Sequence, residues 1–515
     1  MKKKILILFV LLFSLILLTT CTRQGGLTVE QSAPSIVELV KQGESELFTV
    51  PFDRYEAETK PLPIGIFDSG IGGLTVLTAI LEIDAFNNIT HKPVPDGRLD
   101  FENERFVYLG DQANMPYGNY PSEQKVDFLR ELIIKDVVFL LGRRYWLCAD
   151  AKMPRSDKPQ VKAIVIACNT ATAYGLEPVR DAIKHWDLPV HLVGVVQAGA
   201  DGAIQTINQP GKRGAVAVMA TVGTCTSRGY VRAIKSAAEQ AGIESPAVIQ
   251  QGCLGLAGAI EGDPSYITSS EPPVTVEYHG PAVGNQAAHI VPALSAQYSF
   301  ETKGLLGDVH SPVTWKLNSV ENYIRYHTAS LLERYRRSPN SEPISTVILG
   351  CTHFPYQMDS IAASFERLRS FRKADGDEPY KNLISEKLSF IDPAQLTAAH
   401  LYKALAAEKL LIGKADESIL TTDEFYISVP NTSLDDARLA VNGGFTYEYK
   451  YGRAPGNFVA EYVKRVPMSS DNLSATVRRS IKTNMPAVWN RLVTFSQKSP
   501  RTKGLPPSAR IRSDN

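Results

Sequence analysis

The sequence predicts an α/β fold of open parallel sheets, and three observations carry that expectation. Residues 163–175, AIVIACNTATAYG, send an apolar run without polar alternation straight into Cys168 and a set of small polar residues. A strand of that kind is buried on both faces, as strands of parallel sheets are. Residues 346–356, TVILGCTHFPY, repeat the arrangement, with Gly350 before Cys351, then Thr352 and His353, and Pro355 placed to open a helix. Around both, short apolar runs alternate with stretches of helical periodicity, the pattern of βα repetition.

At the N-terminus, Lys2, Lys3 and Lys4 precede an apolar run from Ile5 to Leu18, too short for a comfortable membrane span. Leu18-Thr19-Thr20-Cys21 then looks like a bacterial lipobox, with Thr20 where Gly or Ala is usual. Residues 1–21 are therefore expected to be an export signal, with lipid on Cys21 and the protein anchored to a membrane, facing the periplasm or cell exterior. Residues 22–62, rich in Gln, Ser, Glu and Thr, read as a tether.

The folded part is expected from Pro63. PIGIFDSGIGGLTVLTAI gives a strand, a turn with Asp68 and Ser69, and a helix after three glycines. Thr75 stands where a dinucleotide fingerprint would need glycine, so the glycines more simply let backbone approach a small anion. Strand 106–109 leads to the polar loop GDQANMPYG (110–118), and a core-facing helix follows over 122–142. The alternation continues with strand 191–195, a helix from about 198, strand 214–219, helix 226–241 and strand 246–250. Segment 263–315 breaks it with Pro, Gly and Ser and reads as an insertion. Helix 316–337, strand 346–350, helix 355–370, strand 387–391 and helix 394–411 resume it, and residues 413–515 form an extension of no assignable fold.

A chain of 515 residues with 44% hydrophobic and 21% charged residues has room for two or three globular units, and its net charge of +1 carries no nucleic-acid signature. The charge is uneven: from Lys450 onward thirteen Lys or Arg face three acids. Such a tail is expected to be solvated or disordered, or to lie on an anionic membrane surface. The cysteines are scattered without C-x-x-C, so no metal site is expected.

FDSGIGGLTVL, PYG, ACNTAT, ATVGTCTSRGY and LGCTHFP come in an order that resembles the glutamate racemases of the aspartate/glutamate racemase superfamily. The resemblance covers about residues 63–412. It implies two pseudo-symmetric α/β domains with the site between them, no cofactor, and Cys168 and Cys351 as the two acid/base residues. It places Asp68, Ser69, Tyr117, Gly118, Asn169, Thr170, Thr352 and His353 around an amino-acid substrate, with His353 assisting Cys351 and Asp68 assisting Cys168. Glu261 lies in a segment like the family's glutamate-bearing stretch, though Cys253-Leu254 stands where Cys-Pro is usual, and is expected to be auxiliary.

Two thiols suit that chemistry. Inverting an α-carbon removes a proton from one face and returns one to the other, and a helix N-terminus or nearby cation can lower a thiol's pKa for the task. The expected activity is interconversion of L- and D-glutamate, with aspartate or another amino acid as the alternative substrate. A membrane-tethered amino-acid binding protein without catalysis is the rival from another class, and a homodimer stays open. Cys148, Cys225 and Cys253 lack a matched context and are expected to be structural.

Overall fold

The computed structural model describes residues 35–55, 58–268, 277–339, 341–413, 423–435, 437–440 and 442–513. The expected signal and Cys21 lie outside the described residues. Ile36–Asn515 forms one compact unit.

Among the described residues there are twelve strands: β1 (Ile64–Asp68), β2 (Phe106–Gly110), β3 (Ala163–Ile166), β4 (His191–Gly194), β5 (Ala215–Ala220), β6 (Val248–Gly252), β7 (Leu305–Leu306), β8 (Lys316–Leu317), β9 (Ile344–Gly350), β10 (Ile384–Ile391), β11 (Glu424–Pro430) and β12 (Val463–Pro467). They make a six-stranded sheet in the order β12-β11-β2-β1-β3-β4, a four-stranded sheet in the order β10-β9-β5-β6, and the β7-β8 pair. Every residue of β1, β2, β3, β5 and β9 is buried, which is why these segments read as nearly continuous apolar runs, interrupted only by Asp68 in β1 and by Ser345 and Thr346 in β9.

The two sheets share one plan. Taken in chain order within each half, both run second-first-third-fourth: β2-β1-β3-β4 and β6-β5-β9-β10. Pairing along both of these ladders is parallel. Cys168 follows the third strand of the first half and Cys351 the third strand of the second. The chain moves to opposite sides of the first strand in each half, which opens a crevice at the carboxyl ends of the strands.

The C-terminal residues complete the first sheet. β11 pairs parallel with β2, placing Phe425 beside Tyr108, and β12 closes the edge antiparallel to β11. The first sheet is thus not wholly parallel, and the extension is part of its core. Helix Pro486–Lys498 buries Val488, Trp489, Leu492 and Phe495 in the same cluster. The tail is thus folded rather than disordered, with three of its arginines held by carboxylates while Arg479, Lys482, Lys498, Lys503 and Arg512 stay exposed. Arg465 pairs with Asp136 at 2.9 Å, Arg491 with Asp423 at 2.6 Å and Arg501 with Asp157 at 2.7 Å.

The described part of the expected tether is also packed. Helix Ile36–Gln42 buries Ile36 and Val40, Trp186 donates its indole N–H to Val37 O at 3.0 Å, and Tyr55 donates to Val161 O at 3.1 Å. Apolar residues spaced among the polar ones explain the difference: Phe48, Val50 and Tyr55 join the core. In the 263–315 insertion, Tyr298 stacks on Phe300 with ring centroids 4.8 Å apart and meets Tyr326 of helix Val320–Tyr335 at 5.6 Å. That aromatic packing lays the segment against the second half.

Candidate active site

The loops at the strand ends of the two halves meet closely, and glycine permits it at two points. A Cβ on Gly72 would lie 2.7 Å from both Cε1 of His353 and Oγ1 of Thr352, and one on Gly118 only 2.5 Å from the Cβ of Thr221. Between these contacts is a cavity lined by Ser69, Tyr117, Gly118, Cys168, Cys351 and His353 together with Asn169, Thr170 and Thr352. Its volume is about 20 Å³, room for about one water.

Cys168 is the N-cap of helix Asn169–His185, its sulfur accepting the amide of Ala171 at 3.4 Å while the thiol points to Ser69 Oγ at 3.8 Å. The helix start was expected to lower this thiol's pKa. Instead burial, followed by the neighbouring Asp68 carboxylate, pushes it well up, against the opposing bonds from Ala171 and Ser69. Burial therefore favours the protonated thiol of Cys168, and a charged Asp68 hinders rather than assists its ionisation.

Cys351 has different surroundings. No α-helix starts beside it, because the short 3-10 turn Phe354–Gln357 intervenes before helix Met358–Arg369. Its partner is His353, whose Nδ1 lies 3.5 Å from Sγ. His353 Nε2 meets Glu261 Oε1 at 2.7 Å, and Gln112 Nε2 donates to Glu261 Oε2 at 2.8 Å. Burial opposes charge on this imidazole, yet its hydrogen bonds to Cys351 and Glu261 and their attraction raise its pKa well above the ordinary histidine value. The charged imidazolium of His353 is thereby favoured.

Asp68 is buried, and that burial raises its carboxyl pKa despite the charge of His353 and the amides it accepts. Oδ2 takes the amides of Gly70 at 3.2 Å and Gly73 at 3.0 Å, holding the glycine turn that precedes helix Leu74–Glu82, while Oδ1 accepts from Thr352 Oγ1 at 3.5 Å. Asn169 accepts the Tyr230 hydroxyl at 2.6 Å, and Thr170 Oγ1 lies 2.9 Å from Thr221 Oγ1. The Tyr117 hydroxyl is turned away from the cavity to Asp111 at 2.5 Å and Asp136 at 2.6 Å, so this residue offers its ring and backbone.

Nine of the ten expected residues from Asp68 to His353 thus line this cavity, Asp68 lies beside it against Thr352, and Glu261 stands behind His353. Sequence reasoning missed Met115, Pro116, Thr221 and Ala257 in the cavity wall and Gln112 behind Glu261. For Thr221 a signal existed: it follows β5 as Ser69 follows β1, the corresponding position in the repeated plan. Cys253 is buried after β6 with its thiol donating to Gln251 O at 3.5 Å, and Cys148 and Cys225 are also free thiols outside the cavity wall.

No family model matches the chain. It is 39% identical over 175 residues to the glutamate racemase of Enterococcus faecalis, covering 34% of this chain and 47% of that one. It is 32% identical over 173 residues to that of Lactobacillus johnsonii, covering 34% and 48%. The chain thus spans about half the length of these two relatives. Among solved structures, a glutamate racemase of Bacillus anthracis aligns at 23% identity with TM-score 0.41, covering 71% of this chain and 88% of that chain. Similarity to glutamate racemase 1 of Caldanaerobacter subterraneus is longer and fainter, 24% over 383 residues, or 74% of this chain and 95% of the relative.

Proposed function

We propose that the protein is a cofactor-independent racemase of the aspartate/glutamate racemase superfamily that interconverts L- and D-glutamate, with Cys168 and Cys351 as its two acid/base residues. The observation that carries this reading is that two cysteines at corresponding strand ends of two similarly ordered sheets line one cavity. The relatives named glutamate racemase support the substrate class.

In one direction the sulfur of Cys351, as thiolate, takes the α-proton and leaves the electron pair on the α-carbon. The Cys168 thiol then delivers its proton to the opposite face, ending as thiolate while Cys351 ends as thiol. This order suits the surroundings: burial keeps the proton on Cys168, and the imidazolium of His353 can balance negative charge on Cys351. The developing carbanion needs its carboxylate screened. First-turn amides of a helix have no intrahelical partner, and those of Asn169 and Thr170 face that task, with Ser69, Gly118 and Thr352 beside them. The cavity of about 20 Å³ is smaller than an amino acid, so binding must part the loops around Gly72 and Gly118.

The test is incubation of purified protein with L-glutamate and with L-aspartate in deuterated water. Exchange of the α-proton with glutamate and conversion to the D-form are expected. Binding without exchange of either substrate would leave a solute-binding protein and remove the racemase reading. We further propose that the chain is exported and held at a membrane by lipid on Cys21, on the sequence pattern of residues 2–21 alone.

A further inference from the structure

We infer that the C-terminal segment Tyr447–Arg465 is a working part of the catalytic unit, and that Lys450, Tyr451 and Arg453 are positioning residues holding the Asp111–Gly118 loop against the two cysteines. The inference rests on the racemase reading for its catalytic meaning, and on the hydrogen bonds of one loop for its substance.

That loop supplies Met115, Pro116, Tyr117 and Gly118 to the cavity wall. It leaves the carboxyl end of β2 without forming regular structure beyond two single 3-10 turns, Gln112–Asn114 and Tyr117–Asn119. Its polar groups need partners when it is packed away from water. The extension provides them at consecutive positions. Ala113 donates its amide to Ser428 Oγ on β11 at 3.0 Å. Arg453 Nη2 donates to Asn114 Oδ1 at 2.6 Å, Lys450 Nζ to the carbonyl of Met115, and the Tyr451 hydroxyl to the carbonyl of Pro116 at 3.2 Å. Two of these acceptors are backbone carbonyls of residues whose other side faces the cavity, so the clamp fixes the wall itself.

The clamp is in turn held rigid. Arg453 also donates through Nε to Lys450 O at 3.2 Å, tying it to the end of helix Tyr447–Gly452. Its guanidinium lies 4.7 Å from the Phe445 ring centroid, 5.2 Å from Phe128 and 5.3 Å from Tyr462. Tyr451 meets Tyr120 edge to face at 4.8 Å. From the other end of the segment Arg465 reaches Asp136, which shares the Tyr117 hydroxyl with Asp111, and Asn114 Nδ2 donates back to both Asp111 oxygens at 3.0 and 2.9 Å. One network thus joins the extension to both ends of the loop.

Tyr451→Phe removes a single hydroxyl and Lys450→Met a single ammonium, both with the side-chain body kept. For each, KM for glutamate should rise about tenfold, the weight of one hydrogen bond to a carbonyl, while kcat stays within about threefold. Arg453→Met should do the same more strongly, and Arg453→Lys should recover part of the loss. A merely structural role would lower the active fraction, and so kcat, without moving KM. Amide hydrogen exchange of residues 111–118 supplies a reading independent of substrate: it should quicken in all variants while peptides from β1 and β3 keep their protection. Unchanged KM together with unchanged loop exchange would overturn the inference. Quickened loop exchange in a protein whose wild type exchanges the α-proton of neither glutamate nor aspartate would uphold the clamp and overturn the racemase reading instead.

Discussion

His353 bridges Glu261 and Cys351, with Nε2 at 2.7 Å from the Glu261 carboxylate and Nδ1 at 3.5 Å from the sulfur. The carboxylate fixes the ring and favours its charge, so what Glu261 contributes should be visible as a titration. Removing its negative charge in Glu261→Gln lowers the His353 pKa, and the imidazolium is then lost at a lower pH. The alkaline limb of kcat/KM should move to lower pH, with kcat down about ten- to hundredfold at neutral pH. A pH–rate profile reads this directly, and a limb that stays in place would show that Glu261 does not support His353.

The paired cysteines make a second expectation. Cys168→Ala and Cys351→Ala should each reduce racemisation by about 10²–10⁴-fold, because one proton-transfer partner is gone on one face. Each sulfur is buried in a small cavity, so both variants should fold with unchanged far-ultraviolet circular dichroism. Near wild-type racemisation in either one, followed by the rotation of polarised light, would remove the two-base assignment.

The residues that made this site legible are those whose local pattern coincides with their task. An apolar strand ending in Cys168 or Cys351 announces a sheet edge at which ligands bind, and the repeat announces a pair. What stayed hidden depends on contacts distant in sequence. Gln112 meets Glu261 across 149 positions, and Arg453 meets Asn114 across 339. β12, with the sequence VKRVP, reads as solvated because it carries Lys464 and Arg465, yet Lys464 is buried with its ammonium donating to Ala149 O at 2.6 Å and Ala151 O at 3.1 Å. Buried cations with carbonyl or carboxylate partners cannot be told from surface ones by composition. The thiol of Cys168 misled for a related reason, since the helix start was visible in sequence and the burial and the Asp68 charge were not.

Lipidation at Cys21 is testable apart from catalysis. Metabolic labelling with a tagged fatty acid should mark the wild type, and Cys21→Ala should lose the label and leave the membrane fraction. Equal labelling of both would place any lipid elsewhere.

The last expectation concerns Asp136, which sits under the cavity loop. The Tyr117 hydroxyl lies 2.6 Å from Asp136 Oδ2 and 2.5 Å from Asp111 Oδ2, yet it has one proton to donate. Both contacts are hydrogen bonds only if one carboxyl keeps its own proton. Burial, then the charge of Asp111, pushes the Asp136 pKa up to about 8 against the opposing Arg465, so Asp136 is the acid that stays protonated. In the unfolded chain it would titrate near the ordinary 3.8. The folded protein therefore holds a proton that the unfolded chain has released across this interval. The resulting stability is complete below about pH 4 and is lost as pH rises through about 8. Asp136→Asn can keep the geometry, its amide donating to Tyr117 and its carbonyl accepting from Arg465, while removing the titration. Denaturant unfolding of both proteins from pH 5 to 8 should show the wild type losing stability relative to the variant, by at most roughly 4 kcal/mol. Parallel profiles across that range would mean that the proton resides elsewhere in the cluster.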